Sequence, residues 1–545
     1  MPWPSDVAAR YVAAGHWTGV PLTERLRAVV DARPGATALV DGDLRLSYAG
    51  LWARVQAAAR RLTLLGLCAG DRVVVQLPNR WEFVVLTLAC LRLGVLPVMA
   101  LPAHRRHELA HLAGHCAATA IAVPGMVNGF DHQAMAHGLA AEVSTIGHVL
   151  VAGADVAPGS VSLTEICQPA GPPSAGALDH PLPDARGTAL FLLSGGTTGL
   201  PKLIPRSHDD FGCAISHAAR ASRLGPDTVY LAVLPAAHNF TLAGPGIIGT
   251  LFSGGRAVLG NSPAPATAFP LIEREAVTVT GVVPAVLQRW LQAQRDGHPH
   301  DISALRVLQV GGAKLADEVA RQVTPALGCI LQQGYGMAEG LICITRLDDP
   351  DEILCRTQGR PICPDDELRV VDGDGREVPA GQPGILLTRG PYTVRGYYRA
   401  AEHTARAFTP DGWYNTGDVV RLRPDGYLVV EGRDKDVINR AGEKISAEEV
   451  ENFAYRVDGV QLAAVIPMPD PDLGERVCMY VVLRPGARVG LQQVVSAMQR
   501  ADVARYKLPE RLVVVDVLPL TAVGKIDKKK LRTDLIRRLT AERAA

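Results

Sequence analysis

Apolar residues recur along the chain at two spacings, and the spacing changes with position. Tyr48–Leu67 carries them at helical intervals and ends near Gly66, which predicts a helix. Asp71–Leu77 is a short apolar run and predicts a strand, Glu82–Leu93 predicts a helix, and Val95–Leu101 predicts a strand. Alternation of this kind, from about residue 45 to 260, predicts parallel sheets with helices on both faces. A second series follows: a strand at Val277–Val283, a helix at Ala285–Gln294, a strand at Leu305–Val310 and a helix at Leu315–Val323. The most membrane-like stretch is Trp81–Pro102. Glu82 and Arg92 interrupt it and Gly94 and Pro97 break it, so it predicts a buried helix and strand rather than a span.

After residue 360 the character changes. Glu367–Asp372, Gly384–Thr388 and Tyr427–Glu431 are short strand candidates separated by Asp-Gly or Gly turns, a small antiparallel or barrel-like unit. The last 110 or so residues follow an α+β pattern: helix Ala447–Tyr455, strands Gln461–Ile466 and Val477–Leu483, helix Leu491–Asp502, strand Leu512–Val515. Residues 168–186 read as a surface connection. The expected fold class is α/β: a large N-terminal domain of two αβ-layered subdomains and a β-barrel-like one, then a small, mobile α+β domain.

Composition narrows this picture. A chain of 545 residues with 48% hydrophobic content needs two to four folding units and is not disordered. Lys+Arg 56 against Asp+Glu 55 gives +1, with none of the basic excess of a nucleic-acid binder. The basic run Lys525–Arg532 reads as a solvated helix face. Met1–Trp17 lacks the apolar block of a signal peptide, and a cytoplasmic location is expected. No two of the ten cysteines have Cys-x-x-Cys spacing, which argues against zinc and thioredoxin-like chemistry and for reduced thiols.

The first chemical signal is Ser194 to Lys202, Ser-Gly-Gly-Thr-Thr-Gly-Leu-Pro-Lys, after the buried-strand run Thr188–Leu193. Glycines let backbone N–H groups approach an anion, hydroxyls add donors and lysine adds a mobile charge. This composition suits phosphates, although the spacing is not that of a P-loop, and a glycine-rich turn is the plain alternative. Four more segments follow in order. Gln333–Gly340 has an aromatic between glycines, able to stack on a base, and Glu339, an oxygen donor suited to Mg²⁺; a tight turn with an exposed tyrosine is the alternative. Trp413–Asp418 ends in Thr-Gly-Asp, where an acid can accept from ribose hydroxyls, or which is merely a turn. Glu431–Glu451 is densely charged and reads alternatively as a solvated linker. Pro519–Lys525 ends in Gly-Lys, a loop able to carry a lysine into a site.

Together and in this order, these motifs strongly resemble the adenylate-forming superfamily over residues 20 to 540. A narrower resemblance, centred on His238-Asn239 within Leu234–Gly246, is to the stand-alone aryl-acid AMP ligases of siderophore and nonribosomal peptide biosynthesis, which activate salicylate or 2,3-dihydroxybenzoate. The resemblance implies ATP and Mg²⁺, release of pyrophosphate with formation of an aryl-AMP, then transfer to the phosphopantetheine thiol of a separate aryl carrier protein. By the same resemblance, Ser194, Gly195, Gly196, Thr197, Thr198 and Lys202 hold phosphates, and Glu339 helps bind Mg²⁺. Gly311, Gly312, Ala313, Gly334, Tyr335 and Gly336 surround adenine. Asp418 and Arg433 hold ribose, and Lys525 and His238 are catalytic. His238, Asn239, Phe240, Gly244, Gly312, Met337, Leu341 and Ile342 line the acyl pocket. The domains divide as 1–433 and 434–545, with a hinge at Lys435 and Gly442 near the thiol tunnel.

Two positions carry the choice of acid. Amino-acid-activating relatives have an aspartate near 239; a neutral Asn239 suits an ortho-hydroxyl and no ammonium. Gly244 stands where the resemblance puts serine in dihydroxybenzoate enzymes and cysteine in salicylate enzymes, and Ile342 where the former commonly carry valine. Salicylate or a substituted salicylate such as 6-methylsalicylate is therefore expected over 2,3-dihydroxybenzoate. The bland account of Gly244 is backbone packing. An aryl-CoA ligase using free CoA and a non-catalytic nucleotide-binding protein are the rival readings.

Overall fold

The computed structural model describes residues 3–169, 180–194, 201–433, 437–440, 443–470, 473–500, 503, 507–521 and 525–544. Expectations for Gly195, Gly196, Thr197, Thr198, Lys435, Gly442, the Arg433 side chain and part of the 168–186 connection lie outside the described residues.

Among the described residues, two large sheets form the body of the molecule. One has seven strands, parallel from Thr188–Leu193 through Leu96–Met99, Arg72–Val75, Ala120–Pro124 and His148–Ala152, with Leu203–Ser207 antiparallel at one edge. The other has nine, with a parallel centre of Ile330–Gly336, Val307–Val310, Val279–Val282, Val229–Ala232 and Arg256–Leu259. Sequence alternation predicts both layers but divides them in the wrong place. Val229–Ala232 and Arg256–Leu259 join the later series, because Tyr230 pairs with Val279, and the hairpin Thr37–Ser47 crosses to pair with Arg256–Leu259.

Local chemistry explains most element ends. Ser47 caps the helix Tyr48–Leu64 by accepting from the Gly50 N–H. Trp81–Leu93 is buried on all sides, as its uniform apolar pattern requires, and stops at Gly94 in the left-handed region. Glu82 inside it is paired with Arg80 at 2.8 Å. The helix expected over Leu315–Val323 is instead two short ones, Asp317–Ala320 and Val323–Leu327. Pro325 accounts for the break: it has no N–H for the Arg321 carbonyl and its ring collides with that turn.

The third unit is a four-stranded antiparallel meander, Glu367–Val371, Pro383–Arg389, Tyr414–Leu422 and Leu428–Arg433, with register shifts in its last two pairings. The C-terminal unit has five strands, including a hairpin Val437–Arg440 and Glu443–Ser446 inside the segment read alternatively as a linker. Lys528–Ala544 is a helix that buries Leu531 and Leu535; of the basic run, only Lys529 and Lys530 are exposed, while Lys528 is held by Glu451 at 2.8 Å and Lys525 lies before the helix. No helix among the described residues is long and apolar enough to cross a membrane.

Gly359 sets one crossing between units. Its φ is +84°, and a Cβ there would lie 1.9 Å from the Ile344 carbonyl carbon. Gly359→Ala must push apart the strands Ile342–Ile344 and Arg360–Pro361, and a loss of about 3 kcal/mol or more is expected in denaturant unfolding. An unfolding free energy within about 0.5 kcal/mol of wild type would contradict this backbone account.

Candidate functional site

The predicted motifs converge on the carboxyl ends of the parallel strands, where open α/β sheets bind ligands. Thr188–Leu193 runs into Ser194 and returns as Leu203–Ser207, with Leu193 paired to Leu203. Ser194 closes the neck of the loop twice: its N–H donates to the Lys202 carbonyl, and its Oγ accepts from the Lys202 N–H, both at 3.0 Å. The Lys202 ammonium lies 5.5 Å over the Tyr397 ring, and the Tyr397 hydroxyl donates to Glu339 at 2.9 Å. The structure thus brings the phosphate-loop lysine beside the carboxylate proposed for Mg²⁺.

Arg206, which is 1% exposed, fixes this meeting. Its guanidinium donates to Asp210 at 2.6 Å, to the Ala338 carbonyl at 2.9 Å and to the Tyr392 carbonyl at 3.2 Å. Asp210 also accepts from Ser207, whose Oγ caps the helix His208–Ala221 through the Asp210 N–H. Sequence reasoning assigned Arg206 no role. The signal for its role was present, a basic residue four before an acid in a strand-to-helix turn.

Gly334, Tyr335 and Gly336 end a strand rather than forming a tight turn, and Tyr335 is half-buried. The Tyr335 hydroxyl donates to Asp418 at 2.7 Å, and burial with that carboxylate holds the phenol protonated, its pKa well above the ordinary value. Asp418 is itself buried in the strand Tyr414–Leu422, opposite Arg433 on the neighbouring strand. Gly311, Gly312 and Ala313 follow Val307–Val310. A Cβ on Gly311 would sit 3.3 Å from the Gly334 carbonyl, so the two glycine segments lie closely side by side.

The second lysine arrives from the C-terminal unit. A Cβ on Gly312, whose φ is +83°, would lie 3.3 Å from Lys525 Cε. Thr521 closes this loop as Ser194 closes the first: its N–H donates to the Lys525 carbonyl at 2.7 Å and its Oγ1 accepts from the Lys525 N–H at 3.2 Å.

The acyl side is built on the segment after Val229–Ala232. Buried Asn79 holds it, donating to the carbonyls of Ala232, Leu234 and Gly260 at 2.9 Å and accepting from the Ala236 N–H at 2.7 Å. His238 caps the short helix Asn239–Ala243, its Nδ1 accepting from the Phe240 N–H at 3.3 Å, which puts the ring proton on Nε2. Burial, and then Lys525, pushes the His238 pKa down to about 4, so the ring is neutral. Asn239 Oδ1 is buried with no hydrogen-bond partner among the described residues. The Phe240 ring packs against Gly281 and Gly311. At Gly244 the backbone is ordinary, φ −114°, and an added Cβ would meet nothing nearer than 3.4 Å. Backbone packing therefore does not require glycine there. Leu341 and Ile342 point to opposite sides: Leu341 enters the core of the meander beside Met337, whereas Ile342 packs with Cys343's other neighbour, Ile344, on the far face.

The structure thus gathers Lys202, Glu339, the Tyr335–Asp418 pair, Lys525 and His238 at one end of the parallel strands. The chain belongs to the AMP-binding enzymes: that family's model matches residues 26–398, and the model of the AMP-binding enzyme C-terminal domain matches 449–525. It is 57% identical to a salicylyl-CoA synthase / salicylate adenylyltransferase of a Streptomyces species, over 98% of this chain and 97% of the relative. It is 56% identical to the 2-hydroxy-7-methoxy-5-methyl-1-naphthoate–CoA ligase of Streptomyces carzinostaticus, over 98% and 96%. Among solved structures, apo MbtA of Mycobacterium smegmatis superposes with a TM-score of 0.75 at 43% identity, covering 98% of both chains. These enzymes use ATP with Mg²⁺. The residues here suit both, with Glu339 as a hard oxygen ligand and glycines at 311 and 312 that put no side chain beside Tyr335.

His238 carries a pH signature. Between its ordinary pKa of 6.5 and about 4, the unfolded chain takes up a proton that the folded ring refuses. Stability therefore falls through that window as pH falls, and His238 contributes no slope above it. His238→Gln is expected to flatten the plot of Tm against pH within the window; parallel plots would contradict the buried, neutral ring.

Proposed function

We propose that this chain activates an ortho-hydroxy aryl carboxylic acid with ATP, releasing pyrophosphate and forming an aryl-AMP, and then passes the acyl group to a phosphopantetheine thiol. The observation that carries the substrate class is the unpartnered, buried Asn239 Oδ1 next to a neutral His238. A buried carbonyl oxygen left unmatched is costly, and a phenolic O–H ortho to the carboxylate satisfies it. An aspartate there would ask for an ammonium instead.

The roles follow from charge. The acid's carboxylate attacks the α-phosphorus, and pyrophosphate departs with the electron pair of the broken P–O bond. Lys202 and the Ser194–Thr198 loop hold the departing phosphates. Lys525 sits between the carboxylate and the α-phosphate, where negative charge builds in the transition state. Glu339 would hold Mg²⁺, which would supply neutralisation of phosphate charge. Tyr335 covers adenine with Gly311, Gly312, Ala313, Gly334 and Gly336, while Asp418 and Arg433 take the ribose hydroxyls. His238 Nε2–H donates to the substrate carboxylate, and Phe240, Gly244, Met337 and Ile342 shape the ring's surroundings, whereas the Leu341 side chain turns away into the core of the meander. Residues 1–433 form the large domain and 434–545 the lid, hinged at Lys435, whose rotation withdraws Lys525 and opens a thiol tunnel past Gly442.

Lys525→Ala is expected to lower ATP–pyrophosphate exchange by about 100-fold or more. Thioester formation from pre-made aryl-AMP should stay within about threefold of wild type. Equal loss in both assays would overturn the alternating-lid account.

The acid itself is salicylate or a ring-substituted salicylate such as 6-methylsalicylate, because Gly244 leaves space and offers no hydroxyl. In an exchange panel of salicylate, 6-methylsalicylate, 2-hydroxy-1-naphthoate and 2,3-dihydroxybenzoate, the last should be the poorest. Gly244→Ser should improve it relative to salicylate by about tenfold. A wild-type preference for 2,3-dihydroxybenzoate would refute this. The acceptor is a separate aryl carrier protein in the cytoplasm. Free CoA, with the same phosphopantetheine arm, is the second reading, favoured by the names of the two Streptomyces relatives. Comparing thioester yield from CoA and from a holo-carrier decides between them.

A further inference from the structure

The cysteine spacing argues against zinc, but the fold assembles what the spacing lacks. His16, Cys213, His217 and Cys363 place one ligand atom each within 4.8 Å of all the others. They come from three segments: the stretch after the helix Ser5–Ala13, the helix His208–Ala221, and the stretch after the strand Arg360–Pro361. Cys213 and His217 are four apart on one helix face. Cys213, His217 and Cys363 are buried, and the His16 side chain is 9% exposed.

We propose that these four side chains are a structural Zn²⁺ site. The donor set, two thiolates and two imidazoles, is that of closed tetrahedral zinc sites. The spacings agree as well. Bond lengths of about 2.0–2.1 Å to nitrogen and 2.3 Å to sulfur give tetrahedral edges of about 3.3 Å between two nitrogens and about 3.6 Å between nitrogen and sulfur. His217 Nε2 lies 3.3 Å from His16 Nδ1, and Cys363 Sγ lies 3.7 Å from both ring nitrogens of His16, so ion binding requires the His16 ring to turn its Nδ1 toward the sulfur.

A second, independent feature orients the ligand. His16 Nε2 is 2.9 Å from Asp365 Oδ2. With its proton donated to that carboxylate, His16 presents the Nδ1 lone pair to the cluster, the carboxylate–histidine–metal arrangement of zinc proteins. A cleft of about 510 Å³ lined by His16, His217, Arg220, Arg346 and Ile362 opens beside the cluster and supplies a route in. Loading replaces two thiol protons, which leave to solvent, with one Zn²⁺. Two thiolates, two neutral imidazoles and the ion sum to zero charge, which suits burial.

The site would staple the N-terminal segment to the rest of the large domain. Cys213 and Cys363 pack in the same buried cluster as Tyr11, Trp17 and Ile342, so the staple lies one layer behind a wall assigned above to the acyl pocket.

The full chain, purified under reducing conditions with its affinity tag removed, is expected to carry about one zinc per molecule by elemental analysis. Exchange with Co²⁺ should give tetrahedral d–d bands and a thiolate-to-cobalt charge-transfer band. Stripping with a chelator should lower Tm, and Zn²⁺ but not Mg²⁺ should restore it. Asp365→Asn should weaken zinc affinity about 10–100-fold without removing a ligand. The Cys213→Ser/Cys363→Ser double variant should lose the cobalt spectrum. Three results would overturn the proposal: wild-type protein that takes up neither Zn²⁺ nor Co²⁺ at micromolar concentration, a Cys213–Cys363 disulfide in the native protein, or zinc retained undiminished by the double variant, an adventitious ion only.

Discussion

The geometry of this molecule hangs on a guanidinium that never meets solvent. Arg206 is buried in an apolar interior, where an unpaired charge would cost several kcal/mol. It is tolerable only because Asp210 neutralises it and two backbone carbonyls, from Ala338 and Tyr392, take its remaining hydrogen bonds. Those three acceptors belong to three parts of the chain: the helix after the phosphate loop, the turn that carries Glu339, and the segment that leads to Tyr397. Moving any of them strands a donor, so the charge locks the phosphate loop to the proposed metal ligand. Arginine does this where lysine would not, because its planar fork reaches several acceptors at once.

The two lysine loops share a construction. In each, a hydroxyl residue closes the neck by bonding the lysine's own backbone, Ser194 for Lys202 and Thr521 for Lys525. The backbone is thus fixed while the long side chain stays adjustable. They differ in what carries them. Lys202 sits on a sheet edge of the large body, whereas Lys525 belongs to the C-terminal unit, which meets that body at Arg456 with Glu318, 3.3 Å apart, and at Tyr455, packed against the core of the nine-stranded sheet. Burial lifts Glu448 in that unit to a pKa of about 7, against the pull of Lys314 from the large body and of Lys528.

Much of this was legible before any coordinates. Strands and helices that obey one clean period, such as Trp81–Leu93 and Val307–Val310, fall where the pattern puts them. What escaped depends on pairing between distant segments. No local signal tells Val229–Ala232 to join Val279–Val282 rather than the earlier sheet. Gly334–Gly336 looks like a turn because glycine dominates it, yet the neighbouring strand holds it extended, whereas Gly417, at φ +66°, keeps a turn-like bulge inside its strand. The motif residues themselves were found by their order along the chain, and the structure adds who touches whom. Asn79, which clamps the acyl segment, had no signature at all: it is one asparagine in a loop until the fold brings three carbonyls to it. The His16–Cys363 pair, 347 positions apart, is invisible to spacing for the same reason.

Recognition of the acid rests on contrasts within one short stretch. Asn79 satisfies all of its polar atoms on backbone and so makes the segment rigid, while Asn239 leaves its carbonyl oxygen buried and unmatched. The same functional group is thus spent on structure in one place and held open in the other. Rigidity matters here, because an adaptable segment would turn Asn239 toward some backbone N–H and lose the preference. Glycine at 244 is the complementary choice: the backbone does not need it, so the missing side chain is space rather than flexibility. A hydrogen-bonding position rejects ligands lacking the partner far more strongly than a space rejects ligands that fail to fill it. The proposed function therefore makes the ortho-hydroxyl the stringent requirement of this pocket and substitution elsewhere on the ring the tolerant one.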